Sequence, residues 1–152
     1  MARVERSIVI HAPVERIFNY TAVPSNLPEF WTSLIEVKDV QPLPNGGSRY
    51  RWVYKMGGMR FEGTSEDVEC VPNQRRVAKS TGGIESTVTW TFAPEAAGTK
   101  VTFLGDYTVP IPLLGRLAEA LIVKLNEHET EALLGNLKAS MESDRVLQAN
   151  PG

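Results

Sequence analysis

Short segments that alternate polar and apolar residues dominate the chain before residue 108, and a long helical pattern follows them. The clearest alternation places Val88, Trp90 and Phe92 between threonines, which is typical of a strand with one buried face. The connections are short and rich in glycine or proline, so neighbouring strands should run antiparallel. The pattern therefore predicts a strand, two short helices, six strands and a long helix.

Prolines indicate where the first helix begins and limit the length of the second. The first strand is predicted over residues 6–11, and a short helix begins at Pro13, where a missing amide hydrogen costs nothing. Residues 24–31 contain too many prolines for more than about one helical turn. A strand at residues 35–40 then opens the series of strands that leads to the final helix.

The final helix is predicted from Leu113 to Glu142, with an apolar stripe at spacings of three and four residues. We expect Leu121 and Leu125 to be buried against the sheet. Gly135 marks either a close approach of the helix to the strands or a tolerated local weakness of the helix. The predicted fold is α+β, with a curved antiparallel sheet of about seven strands wrapped around this helix. The stripe consists of Leu114, Leu117, Leu121, Leu125, His128 and Ala132, and it is widened by Ile122, Leu133 and Leu137.

Composition and charge indicate an ordinary globular protein. The 152 residues, 42% of them hydrophobic, fit one domain, which we place at residues 1–144 with a frayed tail at 145–152. The net charge of −2 and the lack of a basic stripe argue against a nucleic-acid partner, and Arg75 and Arg76 are interpreted as solvated strand residues. No apolar run suits a signal peptide or an integral membrane segment, so we expect a cytoplasmic protein.

Several segments resemble a known superfamily: residues 8–18, with strand, Ala12-Pro13 and helix, residues 47–52, residues 98–103 and the Pro-Ile-Pro at 110–112. Together with the order of elements they resemble the helix-grip fold of the START and Bet v 1 (SRPBCC) superfamily, and within it the polyketide cyclase/dehydrase-like proteins. The resemblance implies a cavity between the concave sheet face and the final helix. It also implies a small hydrophobic ligand, such as a lipid, a polyketide or a quinone.

Aromatic residues on the strands and apolar residues on the helix are the candidates for lining this cavity, since such pockets are mainly apolar. The alternative is that the same aromatic rings simply fill a solid core. The candidate cavity residues are Trp52, Tyr54, Phe61, Trp90, Phe103, Tyr107, Leu117, Leu121, Leu125 and His128.

His128 is the one candidate catalytic residue, because its side chain titrates near neutral pH and interrupts an apolar stripe. The alternative is a histidine that only packs or hydrogen-bonds at the helix margin. Asp67 remains a candidate for an internal polar group, whereas alternation places Glu62, Arg51 and Asp106 on the outer face. Two histidines and one cysteine do not form a zinc-binding pattern, and no metal or cofactor is expected.

Three functions stay open at this point. The first is binding or transport of a small hydrophobic ligand, which predicts an open and mostly apolar cavity. The second is a polyketide aromatase/cyclase or dehydratase, which requires at least two converging polar groups inside the cavity. The third is an adaptor that binds a partner protein and whose cavity is incidental. The sequence does not decide between a monomer and a homodimer.

Overall fold

The computed structural model describes residues 2–56, 58–108 and 116–149, without the side chains of 116–119, 122 and 144–149. Its strands are β1 Ala2–Ile10, β2 Leu34–Pro42, β3 Ser48–Met56, β4 Met59–Val71, β5 Arg75–Gly82, β6 Ser86–Glu95 and β7 Gly98–Tyr107. They form one antiparallel sheet in the order β1-β7-β6-β5-β4-β3-β2. Consecutive strands from β2 to β7 are neighbours in the sheet, as their short connections require, and β1 pairs with β7.

The helices follow the predicted order. After β1 come α1 Val14–Ala22, a 3₁₀ turn at Pro24–Asn26 and the single turn α2 Leu27–Phe30, and α3 Arg116–Ala149 ends the chain. The prediction of a curved antiparallel sheet with a long C-terminal helix is confirmed.

The ends of the long helix differ from the prediction. Its predicted start at Leu113 lies outside the described residues, and its predicted end at Glu142 is wrong because α3 continues to Ala149. The sequence offers no glycine or proline between Glu142 and Pro151 that would stop the helix. The domain boundary at residue 144 and the frayed tail beyond it stay predictions.

The buried face of α3 includes Leu133 and Leu137, which widen the predicted stripe, but not the centre of that stripe. Leu133, Leu137 and Met141 are at most 2% exposed, whereas Leu125 is 44% and Leu121 is 60% exposed. The predicted burial of Leu121 and Leu125 is therefore wrong. The actual inward residues keep the spacing of three and four but start from a different position, which rotates the buried face around the helix.

Polar contacts to β1 and α2 hold α3 in this rotation. Lys138 Nζ donates to the carbonyl of Val9 at 2.8 Å, and Arg6 Nε donates to Glu131 Oε1 at 3.2 Å. Asn136 Nδ2 donates to the carbonyl of Phe30 at 3.1 Å. The interpretation of Gly135 as a close approach is also wrong, because a Cβ atom built there meets nothing within 4 Å.

Candidate functional site

A cavity of about 120 Å³ lies inside the fold and is lined by residues of the sheet, of the helices before β2 and of α3. For comparison, an engineered apolar cavity of about 150 Å³ binds benzene. The volume of the cavity is therefore of the order needed for a single aromatic ring. Strand alternation decides which side chains reach it, since partners in an antiparallel pair share a face.

Four rings form the apolar wall of the cavity. Trp90 and Phe103 pack edge-to-face with ring centroids 5.1 Å apart, and Trp31 packs the same way on Phe103 at 5.6 Å. Trp31 also meets Tyr54 at 6.4 Å. Edge-to-face packing fixes ring orientation and adds about 0.5–1.5 kcal/mol per pair beyond the buried area. The wall is thus pre-formed rather than assembled around a ligand.

Glu129 of α3 forms hydrogen bonds with two of the rings in this wall. Its Oε1 accepts a hydrogen bond from Trp31 Nε1 at 3.0 Å, and its Oε2 accepts one from the Tyr54 hydroxyl. Burial, followed by the negative charge of Glu129, raises the pKa of Tyr54. Tyr54 therefore stays protonated and keeps donating to Glu129.

Polar side chains from three neighbouring strands form a row across the concave face. The register pairs Tyr50 with Ser65 and Ser65 with Ser80, and the two serine hydroxyls are hydrogen-bonded. Burial raises the pKa of Tyr50 to about 12. Next to the row, Asp67 Oδ2 accepts from the Ser48 amide at 2.8 Å, and burial raises the pKa of this carboxyl.

Arg76 is the buried cation of the cavity. It is only 4% exposed, its guanidinium lies 5.1 Å from the Phe18 ring centroid and 5.8 Å from that of Phe92, and Nη2 donates to Thr21 Oγ1 at 2.7 Å. Burial lowers the pKa of the Arg76 guanidinium, and the negative charge of Asp67 offsets part of this decrease. The interpretation of Arg76 as a solvated strand residue is wrong, because β5 turns Arg76 inward on the same face as Ala78.

Three buried polar atoms have no hydrogen-bond partner among the described residues. They are Trp52 Nε1, Arg76 Nη1 and Tyr107 Oη, and all three side chains line the cavity. Buried polar groups are normally paired, so each such atom calls for an explanation. The lining side chains themselves enclose these three atoms.

The structure places most of the predicted strand residues at the cavity. Five of the six aromatic side chains are buried and line it, namely Trp52, Tyr54, Trp90, Phe103 and Tyr107. Phe61 is half-buried and packs against the core, but it is not part of the cavity lining. That the lining residues bind a ligand stays a prediction.

The helix residues predicted for the cavity are not brought together there. The His128 side chain is 80% exposed, with Nδ1 3.8 Å from Glu131 Oε2, so its predicted position inside the cavity is wrong. Leu121 and Leu125 are exposed, and the Leu117 side chain lies outside the described residues. The rotation of α3 explains all the exposed positions.

Other residues that the sequence did not single out do line the cavity. α3 contributes Asn126, Glu129, Thr130 and Leu133, and the segment before β2 contributes Trp31. The sequence does contain a signal for Glu129. It lies four residues before Leu133 and eight before Leu137, so all three residues fall on one face of the helix. Asp67 was a candidate for an internal polar group, and the structure buries it at 6% exposure.

This architecture defines a START-like helix-grip protein, and the chain belongs to a family described as polyketide cyclase/dehydrase and lipid transport. The family model matches residues 1–142. In sequence, the chain is 29% identical to the protein TTHA0849 from Thermus thermophilus, covering 98% of this chain and 99% of that one, with a TM-score of 0.72. No curated protein is similar enough in sequence to count as a match.

Two more distant structures share the fold. The Zhui aromatase/cyclase from Streptomyces sp. R1128 has a TM-score of 0.82 at 16% identity, over 98% of each chain. A START superfamily protein from Mycobacterium smegmatis has a TM-score of 0.78 at 15% identity, over 93% of this chain and 97% of that one. At such identities the likeness shows the fold and not the reaction.

Two further observations bear on the site. Within residues 2–56, 58–108 and 116–149, no group of three or more His, Cys, Asp or Glu side chains could hold a metal ion. In the same part of the chain, no helix has the length and apolar character needed to cross a membrane.

Proposed function

We propose that this protein binds and carries a small hydrophobic ligand, with a part of about the size of an aromatic ring held in the cavity between the sheet and α3. The observation that carries the proposal is a pre-formed wall of edge-to-face rings beside buried donors that lack partners among the described residues. Small-molecule sites combine such apolar walls with a few polar groups that fix the orientation of the ligand. The adaptor alternative would allow a collapsed interior, so the cavity favours the functions that need a ligand.

Filling the cavity should weaken binding. Ala78 lines the cavity on β5, and Ala78→Leu should weaken binding of α-methylstyrene, a single-ring hydrocarbon, at least about tenfold because the added methyl groups occupy its space. Ala93→Leu makes the same change at an exposed position of β6 and should leave the affinity within about twofold of the wild-type value. Tryptophan fluorescence titration measures both.

Native mass spectrometry of protein purified from its own host complements the titration, because a retained molecule would identify the ligand class. Two results together would contradict the proposal: no retained ligand, and no binding of the hydrocarbon to the wild-type protein. Equal affinities of Ala78→Leu and wild type would place the bound molecule outside this cavity.

A second candidate function is catalysis by an aromatase/cyclase or dehydratase. It is favoured by one observation: the Glu129 carboxylate and the Arg76 guanidinium line the same cavity. In such a reaction Glu129 would accept a proton from a carbon beside a carbonyl group, and the electron pair of the broken C–H bond would move into an enolate. A carboxylate positioned at the reacting carbon can serve as a general base.

Glu129→Gln separates the two functions. If Glu129 is the base, turnover of the compound that co-purifies should fall by about 100-fold or more while its affinity changes little. Glu131→Gln is the matched control, since Glu131 lies on the same helix with its side chain 54% exposed, and it should leave turnover unchanged. Turnover that survives in Glu129→Gln would exclude this catalytic role.

A further inference from the structure

We propose that the outer face of α3 binds a second copy of this chain, with the two helices packed antiparallel across residues 121–132. The face consists of Leu121, Leu125, His128 and Ala132, which we call the outer stripe. The inference goes beyond the proposed function, because the outer stripe lies on the side of α3 that faces away from the cavity.

The outer stripe carries two large aliphatic side chains that the described part of the chain leaves uncovered. Leu121 is 60% exposed and Leu125 is 44% exposed. At about 3.6 residues per turn, Leu121 projects from the side of α3 opposite the fully buried Leu137. The helix therefore has an apolar stripe on each side, and only the inner one packs against the sheet. Contiguous exposed apolar surface of this kind is typical of a binding surface.

The spacing of the outer stripe fits a helix as the partner. Its four residues follow one another at intervals of four, three and four, the pattern of helices that pack side by side in a coiled coil. Small or exposed side chains at the last two positions leave room for a second helix, because Ala132 is short and His128 is 80% exposed. A second copy of the chain supplies a helix with the same pattern.

Charge complementarity favours that second copy, in an antiparallel orientation. When Leu121 faces Ala132 of the second copy and Leu125 faces its His128, Lys124 lies beside Glu131 of the other helix. Lys124 is exposed and has no ion-pair partner among the described side chains. Glu131 Oε1 accepts from Arg6, whereas Oε2 has only His128 Nδ1 near it, at 3.8 Å. The two-fold symmetry forms the Lys124–Glu131 pair twice.

Other arrangements of the same two helices bring like charges together. A shift of one heptad places Lys124 beside its own counterpart in one direction, and Glu131 beside its own counterpart in the other. A parallel pair would set His128 against His128 and direct Lys124 toward Glu129, whose carboxylate is already engaged inside the fold. Like charges side by side destabilise about as much as opposite charges stabilise, so the register given above is favoured.

The length of the outer stripe sets the expected strength of the dimer. Residues 121–132 span about 18 Å of helix. Two faces of this length bury less than the roughly 1,200 Å² that stable interfaces require. We therefore expect a reversible dimer that forms at high protein concentration.

Sedimentation velocity of the wild-type protein measures this association, and the average mass should rise with concentration toward twice that of one chain. Replacing both leucines, in Leu121→Gln/Leu125→Gln, should weaken association about tenfold or more, because it removes the apolar contact. Both positions are exposed, so the variant should keep the fold, which far-ultraviolet circular dichroism checks. Val68→Gln is the matched control at a 47% exposed position of β4 and should change the association constant by less than about twofold.

Two charge reversals test the register. Lys124→Glu and Glu131→Lys should each weaken self-association by about tenfold, because each places like charges side by side twice. An equimolar mixture of the two variants should associate about as well as the wild type, since every Lys–Glu pair across the interface is then restored.

Three results would each overturn the inference: a wild-type protein that stays monomeric up to about 1 mM, association that survives in Leu121→Gln/Leu125→Gln, or a mixture that associates no better than either charge variant alone. Binding of a monomeric wild-type protein to phosphatidylcholine vesicles, lost in the double leucine variant, would also overturn it and assign the outer stripe to a membrane surface. The ligand titration tests the proposed function separately, because the outer stripe does not line the cavity.

Discussion

Leu137→Ala should lower the free energy of unfolding by about 2–5 kcal/mol, the range for removing a fully buried leucine side chain. Leu137 has no exposed surface and belongs to the core formed by α3, the sheet and the preceding short helices. It lies on the face of α3 that also carries Leu133 and Met141, so the substitution leaves a void under the helix. Urea unfolding followed by circular dichroism measures the change.

Leu125→Ala is the matched control on the same helix. Leu125 is 44% exposed, so its loss should change the free energy of unfolding by less than about 0.5 kcal/mol. The comparison tests the rotation of α3 directly. If Leu125→Ala were the costly substitution and Leu137→Ala the neutral one, the buried face would be the one predicted from the sequence.

That prediction failed because α3 carries two overlapping apolar patterns. Leu117, Leu121 and Leu125 set one phase, whereas Leu133, Leu137 and Met141 set another. Extending the second phase toward the N-terminus passes through Thr130 and Asn126, which line the cavity. A prediction from hydrophobicity alone assigns such polar positions to the solvent-exposed face. It therefore assigned the wrong face to the part of α3 that lines the cavity.

The sheet was easier to predict, because strand alternation depends only on a period of two. It placed Trp52, Trp90 and Phe103 on the concave face, where the structure has them. The same alternation could not identify Arg76 as an inward-facing residue, because its neighbour Val77 is apolar and also buried, at 8% exposure. With both residues of the pair buried, residue type cannot indicate which one faces the cavity, and only the register with β4 and β6 does.

The candidate site also contains residues that the sequence pattern predicts and residues that it does not. The strand rings of its aromatic wall follow from periodicity, whereas Trp31, Arg76 and Glu129 come from positions that the sequence pattern did not mark as inward-facing. Sequences tend to break local rules where function requires it, so such violations are where a sequence-based prediction is expected to fail. Here each violation lies at the cavity, which is a reason to test these residues first.

Gly63→Ala should destabilise the protein by about 1–3 kcal/mol, the usual cost of adding a methyl group where packing leaves no room. A Cβ atom at Gly63 would overlap the Trp52 ring and would lie 2.5 Å from the carbonyl oxygen of Thr81. The carbonyl belongs to the backbone of β5 and cannot move aside without disturbing the strand pairing. The Trp52 ring lines the cavity, so its displacement should also change the near-ultraviolet circular dichroism spectrum.

Gly135→Ala makes the same substitution with the opposite expected sign. Its new Cβ atom would meet nothing within 4 Å, so alanine should stabilise α3 by up to about 1 kcal/mol through its higher helix propensity. Urea unfolding of both variants gives the comparison. A neutral Gly63→Ala would show that Trp52 does not rest on the β4 backbone, and a destabilising Gly135→Ala would restore the close approach of α3 to the sheet that the sequence suggested. The opposite signs follow from position alone: one glycine lies under a cavity ring, and the other faces open space.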